Sequence, residues 1–294
     1  MKVGFIGLGI MGKPMCKNIV NGGHEVFFYS RHADVTAELE ALGAKSRANA
    51  AEVAAESEVV ITMVPNSPQV REVALGENGI VCGGKKGLVV IDMSSIDPVE
   101  TRSIGEELAK YGIEMIDAPV SGGEPKAIDG TLSVMAGGKE DLIEKYRPLL
   151  NTMAASVVRC GDLGAGNVAK LANQIVVACN IAAMSEALAF SKKMGADPSL
   201  IYQAIRGGLA GSTVLDAKAP MVLSRNFKPG FRIELHIKDL TNALNAAHAI
   251  NGYVPLTGQV MEMMQALKAD GCGKDDHSAL AKFYEKVSNV TIEK

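Results

Sequence analysis

Gly7, Gly9 and Gly12 form G-x-G-x-x-G directly after an apolar run and at the start of a helical stretch. In that setting the first glycine permits a tight turn, the second lets the backbone approach a pyrophosphate and the third allows close helix packing. The helix N-terminus attracts the negative charge. Leu8, Ile10 and Met11 fill the same turn. The pattern predicts dinucleotide binding, the alternative being a glycine turn with no ligand. The next β-rich run ends at Ser30-Arg31, where NAD-specific folds usually place an acid for the ribose hydroxyls. A hydroxyl beside a guanidinium suits a 2′-phosphate, because Arg makes bidentate charge-assisted contacts. NADP(H) is therefore expected in preference to NAD(H), with a solvated Arg31 as the alternative.

A second constellation lies further along. Asp117-Ala-Pro-Val-Ser-Gly-Gly123 follows a β-rich run, so its loop is expected at the carboxyl edge of the sheet, where α/β proteins bind ligands. Ser121 with Gly122 and Gly123 can turn a hydroxyl and main-chain N–H groups toward a small carboxylate; alone, the segment also reads as an ordinary glycine turn. Gly164-Ala-Gly-Asn-Val-Ala-Lys170 then leads into a long helical stretch in which Lys170, Asn173 and Gln174 are spaced to share one face. A solvated helix face carries many charges, and this one has almost none before Glu186 and Lys192. Lys170 is thus expected to be buried or to face a cleft between two lobes. Partial burial disfavours an ammonium and makes proton exchange near neutral pH feasible. Such a group can protonate the oxygen on which charge develops when hydride adds to a carbonyl.

Val64-Pro65-Asn66 and Ser94-Ser95 follow the next two strand runs and are further candidates at the dinucleotide edge, or plain turn chemistry. Lys238 could approach the cofactor from the second half of the chain, although Lys238-Asp239 also reads as an exposed ion pair. The five histidines lack metal-ligand spacing, so no metal is expected. A nucleophilic Ser-His-Asp signature is likewise not found.

These residues need a sheet to carry them. Short β-rich runs at Lys2 to Ile6, Glu25 to Tyr29, Val59 to Val64, Leu88 to Asp92, Glu114 to Asp117, Leu132 to Ala136 and Ser156 to Cys160 alternate with helical stretches. That alternation specifies βαβ units, and the nearly continuous apolar runs suit parallel strands covered on both faces. After Gly161-Asp162 the strand signal disappears. The expected architecture is an α/β Rossmann-type domain with a mostly parallel sheet over 1–162, followed by an all-α domain over 163–294. Residues 167–194 contain neither Gly nor Pro, which predicts a helix of about 40 Å entering that second domain.

With 294 residues, two domains are expected. Thirty basic against 33 acidic side chains give a net charge of −3, and aromatic residues are 4%, so neither a phosphate-gathering field nor a base-stacking surface is expected. Nucleic acid is not an expected partner. Five cysteines without framework or zinc spacing point to a reducing cytoplasm. The apolar run 171–185 is broken by Asn173, Gln174 and Asn180 and falls short of the ~20 residues of a membrane span. The start of the chain, interrupted by glycines and lacking a cleavage signal, reads as mature protein.

GFIGLGIMG near the start, DAPVSGG in the middle, GAGNVAK at the join and KDL beyond it resemble the β-hydroxyacid dehydrogenase family over nearly the whole chain. The resemblance implies Lys170 as the catalytic lysine, Ser121, Gly122 and Gly123 on the substrate carboxylate, and Lys238 on the cofactor side. One departure is Gln174 where the family commonly has Asn, with Asn173 one place earlier, so the two are assigned jointly. Another is Ser30 in place of the frequent acid. SGGEPKAIDGTLSVM, QAIRGGLAGSTVLDAKAP and RNFKPGFRIELHIKDL resemble the branch acting on tartronate semialdehyde (2-hydroxy-3-oxopropanoate). This implies reversible NAD(P)H-dependent reduction to D-glycerate, with 3-hydroxyisobutyrate or another short semialdehyde or hydroxy acid as alternative substrates. Homodimers or homotetramers are implied as well. A non-catalytic dinucleotide sensor is the alternative from a different class.

Overall fold

The computed structural model describes residues 1–293; Lys294, the last residue of the expected second domain, lies outside them. The chain divides into two compact units, Met1–Lys170 and Leu171–Lys294.

In the first unit strands and helices alternate as β1 (Lys2–Ile6), α1 (Gly12–Asn21), β2 (Glu25–Tyr29), α2 (Ala33–Ala41), β3 (Lys45–Ser46), α3 (Ala50–Glu56), β4 (Val59–Thr62), α4 (Ser67–Leu75) and α5 (Ile80–Gly83). The order continues with β5 (Val89–Asp92), α6 (Pro98–Ala109), β6 (Glu114–Asp117), β7 (Val120–Ser121), α7 (Gly123–Ile128), β8 (Leu132–Gly137), α8 (Glu140–Leu150) and β9 (Ala154–Gly161). Among the described residues these strands make one sheet in the order β3-β2-β1-β4-β5-β6-β8-β7, with β9 also paired to β8. The strands from β3 through β6 are parallel, and β8 runs antiparallel to β6 and β7. This is the Rossmann order with an antiparallel extension.

The continuous apolar runs are explained by the period of two along a strand. Val59 and Ile61, Val89 and Ile91, and Val26 and Phe28 pack into one core with Met15, Ile19, Tyr146 and Leu149. Their neighbours Val60, Val90 and Phe27 enter a second core with Val53, Val70, Ile104 and Leu108. Helices on both faces therefore remove both sets of side chains from water, at about 25 cal/mol per Å² of apolar area buried.

The second unit is helical: most of α9 (Ala165–Lys193), then α10 (Pro198–Ile205), α11 (Thr213–Leu223), α12 (Ile233–Ala249), α13 (Pro255–Ala269) and α14 (Ala281–Ser288), with two 3₁₀ turns before the last. Helix starts carry the expected signals: Asp197 accepts the N–H of Ser199 ahead of Pro198, and Ser212 accepts that of Leu215. α9 spans 29 residues, starting two residues earlier and ending one earlier than its glycine- and proline-free stretch. Contrary to the sequence expectation, α9 is long and apolar enough to cross a bilayer by length and composition. Its Ala178, Ile181, Met184 and Leu188 instead pack with Tyr202, Leu215, Val222, Leu240 and Met264 in the core of the second unit. Two short strands, β3 and β7, were not anticipated, and Ser121 ends a strand rather than lying in an open loop.

Candidate active site

The turn between β1 and α1 divides its three glycines by function. A Cβ on Gly7, whose φ is +100°, would stand 2.2 Å from the Met63 carbonyl oxygen, and one on Gly12 would stand 1.9 Å from that of Gly7. These two are demanded by the protein's own packing. A Cβ on Gly9 would meet nothing within 4 Å, so the protein itself does not require a glycine there. The space is left open beside the N-terminus of α1, whose first turn carries no acid. That cradle fits a pyrophosphate. Ile10 is exposed and Leu8 and Met11 are half-buried around it, both packing against the core beneath the turn.

Ser30 and Arg31 lie just beyond β2. The Ser30 hydroxyl is engaged in a local turn, donating to the His32 carbonyl and accepting the His32 N–H at 3.1 Å; Arg31 is exposed. Val64 donates its N–H to the Ser94 hydroxyl at 3.0 Å, which ties together the segments after β4 and β5. Pro65 is exposed, Asn66 and Ser95 are half-buried, and Asn66 precedes α4 in extended geometry.

Residues missed by the sequence reading lie beneath these segments. Thr62, Asp92 and Asp117 occupy adjacent register positions at the carboxyl ends of β4, β5 and β6, all buried. Asp92 Oδ1 accepts the Thr62 hydroxyl at 2.8 Å and the Ser94 N–H at 3.1 Å, while Oδ2 has no hydrogen-bond partner among the described residues. Burial pushes the Asp92 carboxyl up to about 6 against these hydrogen bonds. Asp117 is likewise raised to about 6 by burial, against the N–H groups of Asn167 and Gly164. The available signal was an acid closing an otherwise apolar strand.

Ser121 is half-buried at the end of β7, in register with Ser133 of β8. Gly122 and Gly123 follow with φ of +140° and +68°, a backbone path that only glycine takes without strain. Lys170, in the second turn of α9, is 8% exposed, as expected for a lysine withdrawn from water. Further along the helix Gln174 is buried and Asn173 half-buried, and the Asn173 amide donates to Gln174 Oε1 at 2.9 Å.

Within the second unit Gln174 Nε2 donates to Asp239 Oδ2 at 2.6 Å, and Lys238 Nζ meets Asp239 Oδ1 at 2.9 Å. The alternative reading of Lys238-Asp239 as an exposed ion pair does not hold: Asp239 is buried, and it binds Lys238 on one oxygen and Gln174 on the other. Because a carboxylate only accepts, Gln174 must present its NH₂ to Asp239 and its carbonyl to Asn173, which fixes both amides. One turn earlier on α12, His236 Nε2 lies 3.0 Å from the main-chain carbonyl oxygen of Gln174. These partners are separated by more than sixty positions in the chain, so local pattern could not have shown them.

A family profile described as the NAD binding domain of 6-phosphogluconate dehydrogenase matches residues 2–161. A second, described as NAD-binding of NADP-dependent 3-hydroxyisobutyrate dehydrogenase, matches residues 164–284. The chain is 44% identical to 2-hydroxy-3-oxopropionate reductase of Escherichia coli over 98% of this chain and 99% of that protein. It is 34% identical to human mitochondrial 3-hydroxyisobutyrate dehydrogenase over 96% of this chain and 86% of that one. A solved structure of Mycobacterium tuberculosis 3-hydroxyisobutyrate dehydrogenase with L-serine superimposes with a TM-score of 0.90 at 31% identity, covering 96% of this chain and 98% of that one. Profiles that together take in both halves, with relatives above 30% identity along nearly their full length, put the chain in the β-hydroxyacid dehydrogenase family, as an NAD(P)-dependent oxidoreductase acting on hydroxyl groups.

Proposed function

We propose that the protein reversibly reduces tartronate semialdehyde to D-glycerate, using NADP(H) in preference to NAD(H). The observation that carries this reading is the withdrawal of Lys170 from solvent on a helix whose start is bonded to the strand end leading to Ser121. The 44% identity to the Escherichia coli reductase favours the substrate. When bound, the dinucleotide supplies hydride to the aldehyde carbon.

The chain's own residues do the rest. The glycine turn, together with Val64, Pro65, Asn66 and Ser95 of the segments after β4 and β5, holds the dinucleotide, and exposed Arg31 neutralises a 2′-phosphate. Ser121 and the N–H groups of Gly122 and Gly123 bind the substrate carboxylate and leave its aldehyde aligned. Lys170 gives a proton to the oxygen as charge develops there, a contribution of about 10² to 10⁴ in rate. Asn173 and Gln174, with their amides oriented as a pair, bind the substrate hydroxyl, and Lys238 belongs to the cofactor side.

We assign dinucleotide binding to residues 1–162, and substrate positioning and self-association to residues 163–294. Exposed Val176, Phe190, Met194 and Leu200 support an oligomeric helical unit. Five unbridged cysteines support a reducing cytoplasm as its location.

A second reading, 3-hydroxyisobutyrate or another short β-hydroxyacid, is favoured by the fold match to the mycobacterial enzyme. One methylene in a small pocket changes discrimination by only about 1–3 kcal/mol. The test follows nicotinamide absorbance over a panel of semialdehyde acids and hydroxy acids with both cofactors. Highest kcat/KM for tartronate semialdehyde with NADPH is expected; a higher value for 3-hydroxyisobutyrate would transfer the assignment, and binding without turnover would indicate a sensor.

A further inference from the structure

The Asp117 carboxylate, at the end of β6, accepts two main-chain N–H groups from the start of α9: Gly164 on Oδ1 and Asn167 on Oδ2, each at 2.7 Å. An ordinary helix cap comes from the residue just before the helix. This one arrives from 47 and 50 positions earlier in the chain, so it fixes where the helix sits as well as closing its first turn. A negative group is also favoured at this end of a helix dipole.

The mount has further points of attachment. Asn167 Oδ1 accepts the N–H of Ile96 at 3.0 Å, and its Nδ2 donates to the Thr101 hydroxyl at 3.2 Å, both buried. Two glycines clear the space: a Cβ on Gly166 would stand 2.6 Å from the Asp117 carbonyl oxygen, and one on Gly137 would stand 2.3 Å from Asp117 Oδ1. Lys170 follows Asn167 by three residues on the same helix, and Ser121 follows Asp117 by four residues through β7. One carboxylate therefore ties the helix that bears the lysine to the strand end four residues before the serine.

We propose that Asp117 is a positioning residue that sets Lys170 relative to the Ser121 segment, a role that rests on reading Lys170 as the proton donor. Replacing the carboxylate by an amide turns one acceptor into a donor that faces a main-chain N–H. The first turn of α9 must then shift, and a displacement of about 1 Å at a reacting group costs on the order of 10²-fold in rate.

The test is a double-mutant cycle on the full-length protein with NADPH and tartronate semialdehyde. Asp117→Asn is expected to lower kcat about 10- to 100-fold, with the Kd for NADPH within about threefold of the parent. In a Lys170→Met background the same change should lower kcat by less than about threefold, because the group it positions is gone. An equal fall in both backgrounds, an effect on KM alone, or no fall in either overturns the positioning role while leaving the lysine assignment standing. Near-normal turnover of Lys170→Met by itself removes the lysine assignment and this proposal with it. Should Asp117→Asn not fold, Thr101→Val removes the acceptor of the Asn167 amide more gently. It should lower kcat about 3- to 10-fold in the parent only, and an equal loss in both backgrounds again overturns the proposal.

Discussion

His236 Nδ1 lies 3.0 Å from His277 Nδ1 inside the second unit, and the opposite nitrogen of His236 lies 3.0 Å from the main-chain carbonyl oxygen of Gln174. A carbonyl only accepts, so His236 donates from Nε2. With both rings neutral its Nδ1 is then the acceptor, and His277 must donate from its own Nδ1. Burial, then His236 and Lys218, push His277 down to about 3. For the neutral rings the account predicts, by ¹⁵N–¹H correlation spectroscopy, an Nε2–H tautomer for His236 and Nδ1–H for His277. The reverse pair of tautomers would mean that His236 does not hold Gln174.

Asp92 provides a stability prediction with a definite sign. Its carboxyl is about 6 in the folded protein against an ordinary value of 3.8, so the folded state retains the proton more tightly than the unfolded chain. The cost of burying the ion is absent below about 3.8, grows as pH rises and is fully present above about 6. It amounts to roughly 3 kcal/mol at most. Asp92→Asn keeps an oxygen for Thr62 and Ser94 and should raise Tm by a few degrees at pH 8. Calorimetry at pH 4 should find most of that gain gone; a gain independent of pH would contradict the ionisation argument.

Gly9→Ala separates ligand binding from folding. Because a Cβ there touches nothing in the protein, thermal stability should stay near that of the parent. The methyl occupies the cradle, so calorimetric titration with NADPH should show at least about tenfold weaker binding. Gly12→Ala, 1.9 Å from the Gly7 carbonyl oxygen, should lower Tm as well. Unchanged affinity in Gly9→Ala would place the pyrophosphate elsewhere.

How much of this was legible in the sequence depends on how local each cause is. The glycine turn and the Lys170 helix could be read because periodicity and the absence of helix breakers act over neighbouring residues. β3 could not, since Lys45 and Ser46 are a strand only through pairing with Phe27 and Phe28. The motif ending at Gly123 pointed to Ser121, but Asp117 in the same motif gains its role from N–H groups that only the folded chain brings to it. Asp239 read as an exposed partner of Lys238 because Gln174 lies 65 residues away.

Arg31 tests the cofactor preference. Its exposed guanidinium stands beyond β2, while the neighbouring Ser30 hydroxyl is occupied by His32, and Arg31 is the group proposed above for a 2′-phosphate. Arg31→Ala should lower kcat/KM for NADPH about 10- to 100-fold, as for loss of a charge-assisted contact, and leave NADH nearly unaffected. Equal kcat/KM for the two cofactors in the parent would remove the preference altogether.

The central claim is that Lys170 donates the proton during reduction, and steady-state turnover of Lys170→Met beside its NADPH affinity tests it most directly. The account predicts a kcat lower by about 10² to 10⁴ with the Kd for NADPH retained. A variant that binds NADPH normally and turns over tartronate semialdehyde at near the parent rate would contradict it.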